Sequence, residues 1–121
     1  MKIDVEFYEL PNGTEPAKKF LDSLDKKLRA KMFREIDLLE ENGPDLRMPH
    51  SRPVGNGIFE LRTKQSSNIS RVMYFFIVGQ KAILTNGLVK KTDKTPRSVI
   101  DLAEKYRDDY YERFMGGEEH E

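Results

Sequence analysis

The segment "ISRVMYFFIVG", residues 69–79, constrains the fold more than any other part of the chain. It is a continuous run of β-branched and aromatic side chains, which is typical of a central strand in a sheet. Two further strands flank it: "GIFELRTK" precedes it after the short loop "QSSN", and "KAILTNGLVKK" follows it after a turn at Gly79 and Gln80. Connections this short predict that the three strands are antiparallel neighbours.

The remaining elements are predicted from periodicity and from capping residues. "KIDVEFYEL" alternates apolar and polar side chains, which predicts a half-buried first strand. A first helix is expected to follow Thr14 as its N-cap, and a second helix is expected from about Asp25 to a C-terminal cap at Gly43. The last helix is predicted to begin at Thr95 and Pro96, with the threonine as its cap and the proline at its first position.

Residues 44–56, "PDLRMPHSRPVGN", contain three prolines and a glycine and predict a loop. The resulting order is β-α-α-β-β-β-α, an α+β fold with a mostly antiparallel sheet, an N-terminal helical hairpin and a C-terminal helix. Helices on one face of such a sheet are expected to leave the other face, or an edge, open to a partner. We predict one domain over residues 1–114, followed by a polar, disordered tail over residues 115–121.

The composition argues against a secreted or membrane protein. The chain has no cysteine, which excludes a disulfide framework and a thiolate zinc site. Asp4, Glu6 and Glu9 lie where a signal peptide needs an apolar core. No apolar run approaches the ~20 residues of a membrane span. We therefore expect a cytoplasmic protein that has no membrane partner.

The net charge of zero conceals an uneven distribution of charge along the chain. Residues 1–46 carry −3, residues 47–97 carry +8 and residues 98–121 carry −5. A basic middle between acidic ends suggests a surface for a polyanion such as a nucleic acid. The alternative is that the helices have acidic solvated faces and that the sheet carries the other charges by chance.

Cations lie on all three predicted strands or at their ends. Arg62 and Lys64 share one face of a strand, Arg71 opens the next, and Lys90 with Lys91 ends the last. Hairpin pairing is expected to bring Arg62 close to Arg71, whereas the position of the lysines depends on the strand order. Like charges placed close together are unfavourable unless an anion binds, so these residues indicate a phosphate site.

Cleavage of an RNA phosphodiester by attack of its own 2′-hydroxyl needs little beyond such a site. The reaction needs a base for that hydroxyl, cations for the pentacovalent oxyanion and an acid for the leaving oxygen. A lysine among other cations can serve as the base near neutral pH, and no metal ion is required. The two histidines, His50 in the predicted loop and His120 in the tail, do not form a convincing metal site.

Each candidate also has a purely structural interpretation. Arg62 can pair with a surface carboxylate, and Arg71 can simply open a strand. The lysine pair that ends the last strand can block strand addition at a sheet edge. His50 is more often a structural loop residue than an acid, and most tyrosines placed like Tyr74 belong to a core. None of these residues is specific when taken singly.

Three ordered motifs over about residues 57–110 resemble the RelE/ParE superfamily of bacterial toxins, in particular its phage-derived, HigB-like branch. They are a Gly-hydrophobic-aromatic-Glu-Leu-Arg strand in "GIFELRTK", an Arg-Val-hydrophobic-Tyr strand in "RVMYFF" and a Lys-Lys-Thr-x-x-Thr-Pro start of the last helix in "KKTDKTP". The resemblance implies a RelE-like, microbial-RNase-like α+β fold. It also implies a toxin of a type II toxin–antitoxin pair that cuts mRNA on the ribosome, inhibits translation and is neutralised by a cognate antitoxin.

The resemblance further implies which residues bind and cleave RNA. The catalytic candidates are cations of the motifs: Arg62, Arg71, Lys90 and Lys91. The candidates for substrate binding are Lys64, Tyr74, Lys94 and His50. We expect no metal ion or cofactor, and a monomer or weak dimer that forms a hetero-oligomer with its antitoxin.

Two features depart from RelE itself: no residue aligns with the C-terminal tyrosine of that subfamily, and the chain is neutral where RelE-like toxins are strongly basic. Two other functions stay open at this point. A ParE-like toxin of the same fold would inhibit DNA gyrase without chemistry, and a non-toxic module would only bind RNA or protein. The converging cations favour RNA cleavage, because a pure inhibitor does not need them.

Overall fold

A computed structural model of the protein describes residues 2–77 and 81–116. The predicted turn at Gly79 and Gln80 and the tail from residue 117 onward, with His120, lie outside the described residues. The described elements are β1 (Asp4–Phe7), α1 (Pro16–Ser23), α2 (Lys26–Asn42), a short 3-10 turn (Gly43–Asp45), β2 (Ser51–Gly55), β3 (Ile58–Gln65), β4 (Asn68–Ile77), β5 (Lys81–Lys90) and α3 (Arg97–Phe114). None of these helices is long and apolar enough to cross a membrane. The predicted α+β class is confirmed.

The strands form one sheet in the order β1-β5-β4-β3-β2. β4 lies at its centre, as its apolar sequence predicts, and is antiparallel to β3 and β5. β2 is antiparallel to β3, and β1 is parallel to β5, so the sheet is mostly antiparallel, as predicted. This arrangement places the end of β3 and the end of β5 on either side of the start of β4.

Helices cover both faces of the sheet, which corrects the expectation that one face stays open. Side chains alternate along β4, so Val72 and Tyr74 pack with α1 and α2 on one face. Met73 and Phe75 pack with α3 on the other face. A strand that is apolar on both faces has to be covered on both, because burial of apolar area is what stabilises it.

A strand lies where a loop was predicted. β2 pairs with β3, from Ser51 opposite Leu61 to Gly55 opposite Ile58, with an irregularity that begins at Pro53. Because β2 is the outermost strand on its side of the sheet, a proline is tolerated there. The prediction of a loop was wrong for these residues, and the predicted order β-α-α-β-β-β-α lacks this strand.

The capping predictions hold for α2 but not for α1. Asp25 accepts a hydrogen bond from the Leu28 N–H at 2.9 Å, and Gly43 is the C-terminal cap, as predicted. At α1 the N-cap is Glu15 rather than Thr14, and its side chain makes no capping hydrogen bond. The proline at the first helical position explains this shift, since it holds the residue before it in an extended conformation.

The start of α3 also differs from the prediction, and this difference bears on the site. Pro96 is the N-cap in an extended conformation, and the helix begins at Arg97. Thr95, the predicted cap, instead donates a hydrogen bond from its hydroxyl to Glu60. A buried carboxylate, rather than the end of the helix, therefore fixes this threonine.

Gly87 permits a close approach between β5 and α1. A Cβ atom at this position would lie 2.5 Å from Cδ2 of Phe20 and 2.6 Å from the carbonyl oxygen of Arg71. We expect Gly87→Ala to lower the free energy of unfolding by about 1–3 kcal/mol, because the ring and the neighbouring strand must move apart. Urea denaturation followed by circular dichroism measures the change. Val89→Ala, at an exposed position two residues further along the strand, is the control, and an unchanged unfolding midpoint for Gly87→Ala would contradict the prediction.

Candidate functional site

Two of the predicted catalytic arginines face each other across β3 and β4. Arg62 pairs with Arg71 in the antiparallel register. Arg71 alternates with Met73, so both arginines lie on the face of the sheet that α3 covers. The Arg62 side chain is 7% exposed and that of Arg71 is fully buried. Two guanidinium groups so close together and so far removed from water require anions nearby.

Glu60 supplies the first of these anions. It lies two residues before Arg62 on the same face of β3 and is fully buried. Its carboxylate accepts hydrogen bonds from Arg52 Nε and Arg62 Nη1, both at 2.6 Å, and from the hydroxyl of Thr95. These bonds satisfy the buried carboxylate and tie β2, β3 and the start of α3 together.

Asp93 supplies the second anion, from the segment between β5 and α3. Its Oδ1 accepts a hydrogen bond from Arg62 Nη2 at 2.6 Å, and its Oδ2 accepts one from Arg52 Nη1 at 3.1 Å. The Asp93 carbonyl oxygen accepts a further bond from Arg52 Nη2 at 2.8 Å. The bond from Arg62, with that from Arg52, holds the pKa of the Asp93 carboxyl below its usual value of 3.8. Unlike Glu60, this side chain is 68% exposed, so water competes for the same contacts.

Arg71 is the least satisfied member of the group. Its Nη2 donates to the Thr92 carbonyl oxygen, and its Nε lies 4.0 Å from Oε1 of Glu60. Nε and Nη1 are buried and have no hydrogen-bond partner. Burial lowers the pKa of Arg71, an effect that Glu60 opposes and Arg62 reinforces. A buried cation with unused donors marks a place where an anion or an ordered water would be stabilised.

We call five residues the arginine cluster: Arg52, Glu60, Arg62, Arg71 and Asp93. The cluster has three positive and two negative groups, which leaves one positive charge uncompensated. Its two carboxylates are also the only acidic residues between positions 47 and 97 of the chain. Both negative charges of this segment, which its net charge of +8 already includes, therefore lie at one point, and a residual attraction for anions stays there.

A cleft of about 410 Å³ opens beside the cluster, where β2 begins and β3 continues past it. At this point the Arg62 N–H of β3 donates a hydrogen bond to the carbonyl oxygen of His50, the residue before β2, at 2.8 Å. The lining residues come from α2, from the segment before β2, from β3 and from the segment before α3: Glu35, Met48, Pro49, His50, Arg62, Thr63, Lys64 and Asp93. Three predicted site residues, His50, Arg62 and Lys64, thus line one cleft.

His50 is held in place by a carboxylate of α2. Its Nδ1 lies 2.8 Å from Oε1 of Glu35. Since a carboxylate accepts and does not donate, the ring N–H at Nδ1 is the donor, and Nε2 is left as the acceptor of the neutral ring. A histidine oriented in this way, and 39% exposed beside a cleft, can move a proton to or from a bound molecule. Within the described ranges, no group of three or more histidine, aspartate or glutamate residues is placed to hold a metal ion.

The strand order fixes where the predicted lysines lie. Ile69 of β4 pairs with Lys64 on one side and with Lys90 on the other, so both lysines lie on the same sheet face as the paired arginines, at the end of the sheet. Lys91 and Lys94 are exposed in the segment that leads from β5 to α3. Lys64 and Lys90 therefore flank the arginine cluster, whereas Lys91 and Lys94 lie in the exposed segment that carries Asp93.

Tyr74, predicted as a substrate-binding residue, lies outside the arginine cluster and does not line the cleft. It lies on the opposite face of β4, buried in the cluster that packs against α1 and α2. Its hydroxyl hydrogen bonds with that of Ser51 at 2.5 Å, and burial raises its pKa to about 12. The structural interpretation, a core tyrosine, is the one that applies.

Sequence reasoning does not identify Arg52, Asp93 or Glu35 as site residues. Arg52 lies on the strand that was predicted as a loop, and Glu35 lies on a helix whose carboxylates resemble an ordinary solvated surface. The sequence does carry one usable signal, because a segment with a charge of +8 contains just two acidic residues, Glu60 and Asp93. Acidic residues so isolated among cations are candidates for buried or bridging ion pairs.

The comparison with protein families agrees with the motifs that form this site. The model of the family described as phage-derived protein Gp49-like (DUF891) matches residues 19–108, a range that contains the whole arginine cluster and all the residues that line the cleft. No curated protein matches the chain. The family is associated with RelE- and Gp49-type toxin-like proteins. Because the match covers well over half of the chain, this protein belongs to the phage-derived Gp49-like family.

Proposed function

We propose that this protein is the toxin of a type II toxin–antitoxin pair and that it cleaves mRNA on the ribosome by attack of the RNA's own 2′-hydroxyl. The proposal includes membership of the RelE/ParE superfamily, which the three sequence motifs support, and neutralisation by a cognate antitoxin. The observation that carries it is the cleft in which Arg62, Lys64 and an oriented His50 come together. These are a phosphate ligand, a further cation and a proton carrier, which is the set that such a cleavage needs.

Arg62 is the group that we assign to the scissile phosphate. It lines the cleft, and its guanidinium is fixed on the inner side by Glu60 at 2.6 Å. A guanidinium that is already held by a buried carboxylate loses little conformational entropy when it binds a second anion. Arg71 behind it adds positive charge without touching solvent, which favours the extra negative charge of the pentacovalent state.

His50 is the group that we assign to proton transfer, with Glu35 as the residue that orients it. In the cleavage step a base removes the proton of the 2′-hydroxyl, and the 2′-oxygen forms a bond to phosphorus. The bond from phosphorus to the 5′-oxygen breaks, and that oxygen takes a proton from an acid. The products are a 2′,3′-cyclic phosphate and a 5′-hydroxyl end. We assign one of these two proton transfers to His50 and propose Lys64 for the other.

The test is to map mRNA 5′ ends in a translating bacterial extract with the wild-type protein and with His50→Ala. We expect ribosome-dependent cuts within codons for the wild type, with 5′-hydroxyl ends. We expect His50→Ala to reduce the cleavage rate by about 100-fold, which is the usual contribution of a general acid or base. His120→Ala is the matched control, because it removes the other histidine of the chain, and its cleavage rate should equal that of the wild type.

Two results would contradict this proposal. If mRNA stays intact while growth is inhibited, a supercoiling assay should then test the ParE-like alternative, inhibition of DNA gyrase. If expression is harmless and mRNA stays intact, the protein is a binding module without chemistry. Cleavage that is unchanged in His50→Ala would leave the nuclease proposal standing but would remove His50 from it.

A further inference from the structure

The carboxylate of Asp93 bridges two arginines in the manner of a phosphate group. Its two oxygens bind different guanidinium groups, Oδ1 to Arg62 Nη2 at 2.6 Å and Oδ2 to Arg52 Nη1 at 3.1 Å. The two non-bridging oxygens of a phosphodiester make the same pair of contacts when a phosphate lies between two arginines. The Arg52–Arg62 pair is therefore already arranged to hold an oxyanion that carries one negative charge.

Glu60 and Asp93 have different roles in this arrangement. Glu60 is fully buried and binds Arg52, Arg62 and Thr95, so its removal would leave buried charges without a partner. Asp93 is 68% exposed and belongs to the irregular segment between β5 and α3, where no helix or strand fixes the backbone. Asp93 is thus the carboxylate that can leave, and Glu60 is the one that keeps the arginines in place when it does.

The charges of the cluster also permit an exchange. The departure of Asp93 and the arrival of one phosphodiester replace one negative charge by another, so the cluster keeps its single excess positive charge. Nε and Nη1 of Arg71 are buried beside Glu60 without a hydrogen-bond acceptor, so an additional acceptor near them would be stabilised. Asp93 also lines the cleft together with Arg62 and Lys64, so an incoming strand reaches it directly.

We propose that Arg52 and Arg62 form a binding site for a backbone phosphate of single-stranded RNA, that Asp93 occupies this site in the free protein, and that RNA displaces it. This inference rests on the proposed function, which it deepens by adding Arg52 as a phosphate-binding residue and Asp93 as an internal competitor. The competitor weakens RNA binding until the strand is presented at high local concentration.

The first test measures binding of a short fluorescein-labelled oligoribonucleotide whose 2′-hydroxyls are all methylated, so that it cannot be cut. Fluorescence anisotropy at fixed salt gives Kd for the wild type and for Asp93→Asn. We expect Asp93→Asn to lower Kd by about tenfold, because the amide has no charge with which to compete for the two arginines. Asp37→Asn, on the exposed surface of α2, changes the net charge equally and should lower Kd by no more than about twofold. An Asp93→Asn protein that binds as weakly as the wild type, or more weakly, would overturn the proposal.

The second test asks whether the gain comes through Arg52. Arg52→Lys keeps the charge beside Glu60 but loses the fork that binds two groups at once. In the Arg52→Lys background, Asp93→Asn should improve binding by no more than Asp37→Asn does. If the full gain persists without the Arg52 guanidinium, Asp93 acts through the general field of the protein and the binding site does not include Arg52.

These measurements separate the present inference from the proposed function. If the wild type cleaves mRNA but Asp93→Asn does not change Kd, the present inference is wrong and the proposed nuclease function stands. Tighter binding by Asp93→Asn, without any cleavage by the wild type, would establish the RNA site and reject the enzyme. The binding assay uses RNA that cannot react, so neither result depends on the other.

Discussion

Glu60→Gln is expected to lower the free energy of unfolding by about 3–5 kcal/mol, the usual effect of removing one partner from a buried ion pair. The substitution keeps the size and shape of the side chain and removes its charge. Arg62 and Arg71 would then remain buried with less negative charge near them, while the amide would oppose one of the donors with a donor of its own. A domain of this size has roughly 5–15 kcal/mol of stability in all, so this loss is a large part of it.

Urea denaturation followed by far-ultraviolet circular dichroism measures the effect, since the chain has no tryptophan to report by fluorescence. Glu112→Gln, at an exposed position of α3, is the control and should change the unfolding free energy by no more than about 0.5 kcal/mol. Equal stability of Glu60→Gln and the wild type would mean that the carboxylate is not what keeps the arginines inside. If Glu60→Gln does not fold at all, Glu60→Asp, which keeps the charge and shortens the side chain, should still fold with an intermediate loss.

The sequence predicts the parts of the fold that are governed by local pattern. The hairpin partners of β4, the start of α2 near Asp25 and the C-terminal glycine of α2 all follow from residues that are near one another in the chain. β2 escapes prediction because it is an outer strand, and an outer strand can hold Pro53 and Gly55 where a central one cannot. The sequence does contain a signal for helices on both faces of the sheet, because a strand as apolar as β4 has to be covered on both faces.

The site was predictable only where hairpin register decides the contact. Pairing of Arg62 with Arg71 follows from the short hairpin connection predicted at "QSSN", of which only Ser66 and Ser67 lie outside the two strands. Side chains alternate between the two faces along β4. Tyr74 lies an odd number of residues from Arg71 and therefore on the other face of the sheet. Arg52 and Asp93 reach the cluster from segments 41 residues apart, and no local pattern connects them.

The arginine cluster also limits the positive charge that residues 47–97 present to solvent. Glu60 binds Arg52 and Arg62 from the buried side of the cluster, and Asp93 binds the same two arginines from the exposed side. Both carboxylates reduce the positive charge that solvent experiences without removing a single guanidinium. Under the proposed function, a protein of zero net charge thus keeps a local site for phosphate, and its non-specific attraction to nucleic acid is expected to be weaker than that of a strongly basic protein.

Arg62→Lys is expected to reduce mRNA cleavage by at least about 100-fold, comparable to the loss of a donor that stabilises a transition state. The variant keeps the positive charge, but an ammonium group lacks the fork with which Arg62 contacts Glu60 through Nη1 and Asp93 through Nη2. A lysine that stays with Glu60 has no second arm for the scissile phosphate. Truncation of Arg71 is a less informative test, because that side chain is fully buried and its loss would open a cavity.

The measurement is the rate of ribosome-dependent cleavage as a function of protein concentration, with Arg34→Lys, at an exposed position of α2, as the matched control. If Arg62 acts in the reaction, the maximal rate falls even when the protein is saturating, and a melting curve shows that the variant is folded at the assay temperature. If only the concentration dependence shifts, Arg62 binds RNA equally in the ground state and the transition state. Full activity of Arg62→Lys would mean that charge alone suffices at this position. The two-armed guanidinium of Arg62 would then serve the fold, and its positive charge alone would serve the reaction.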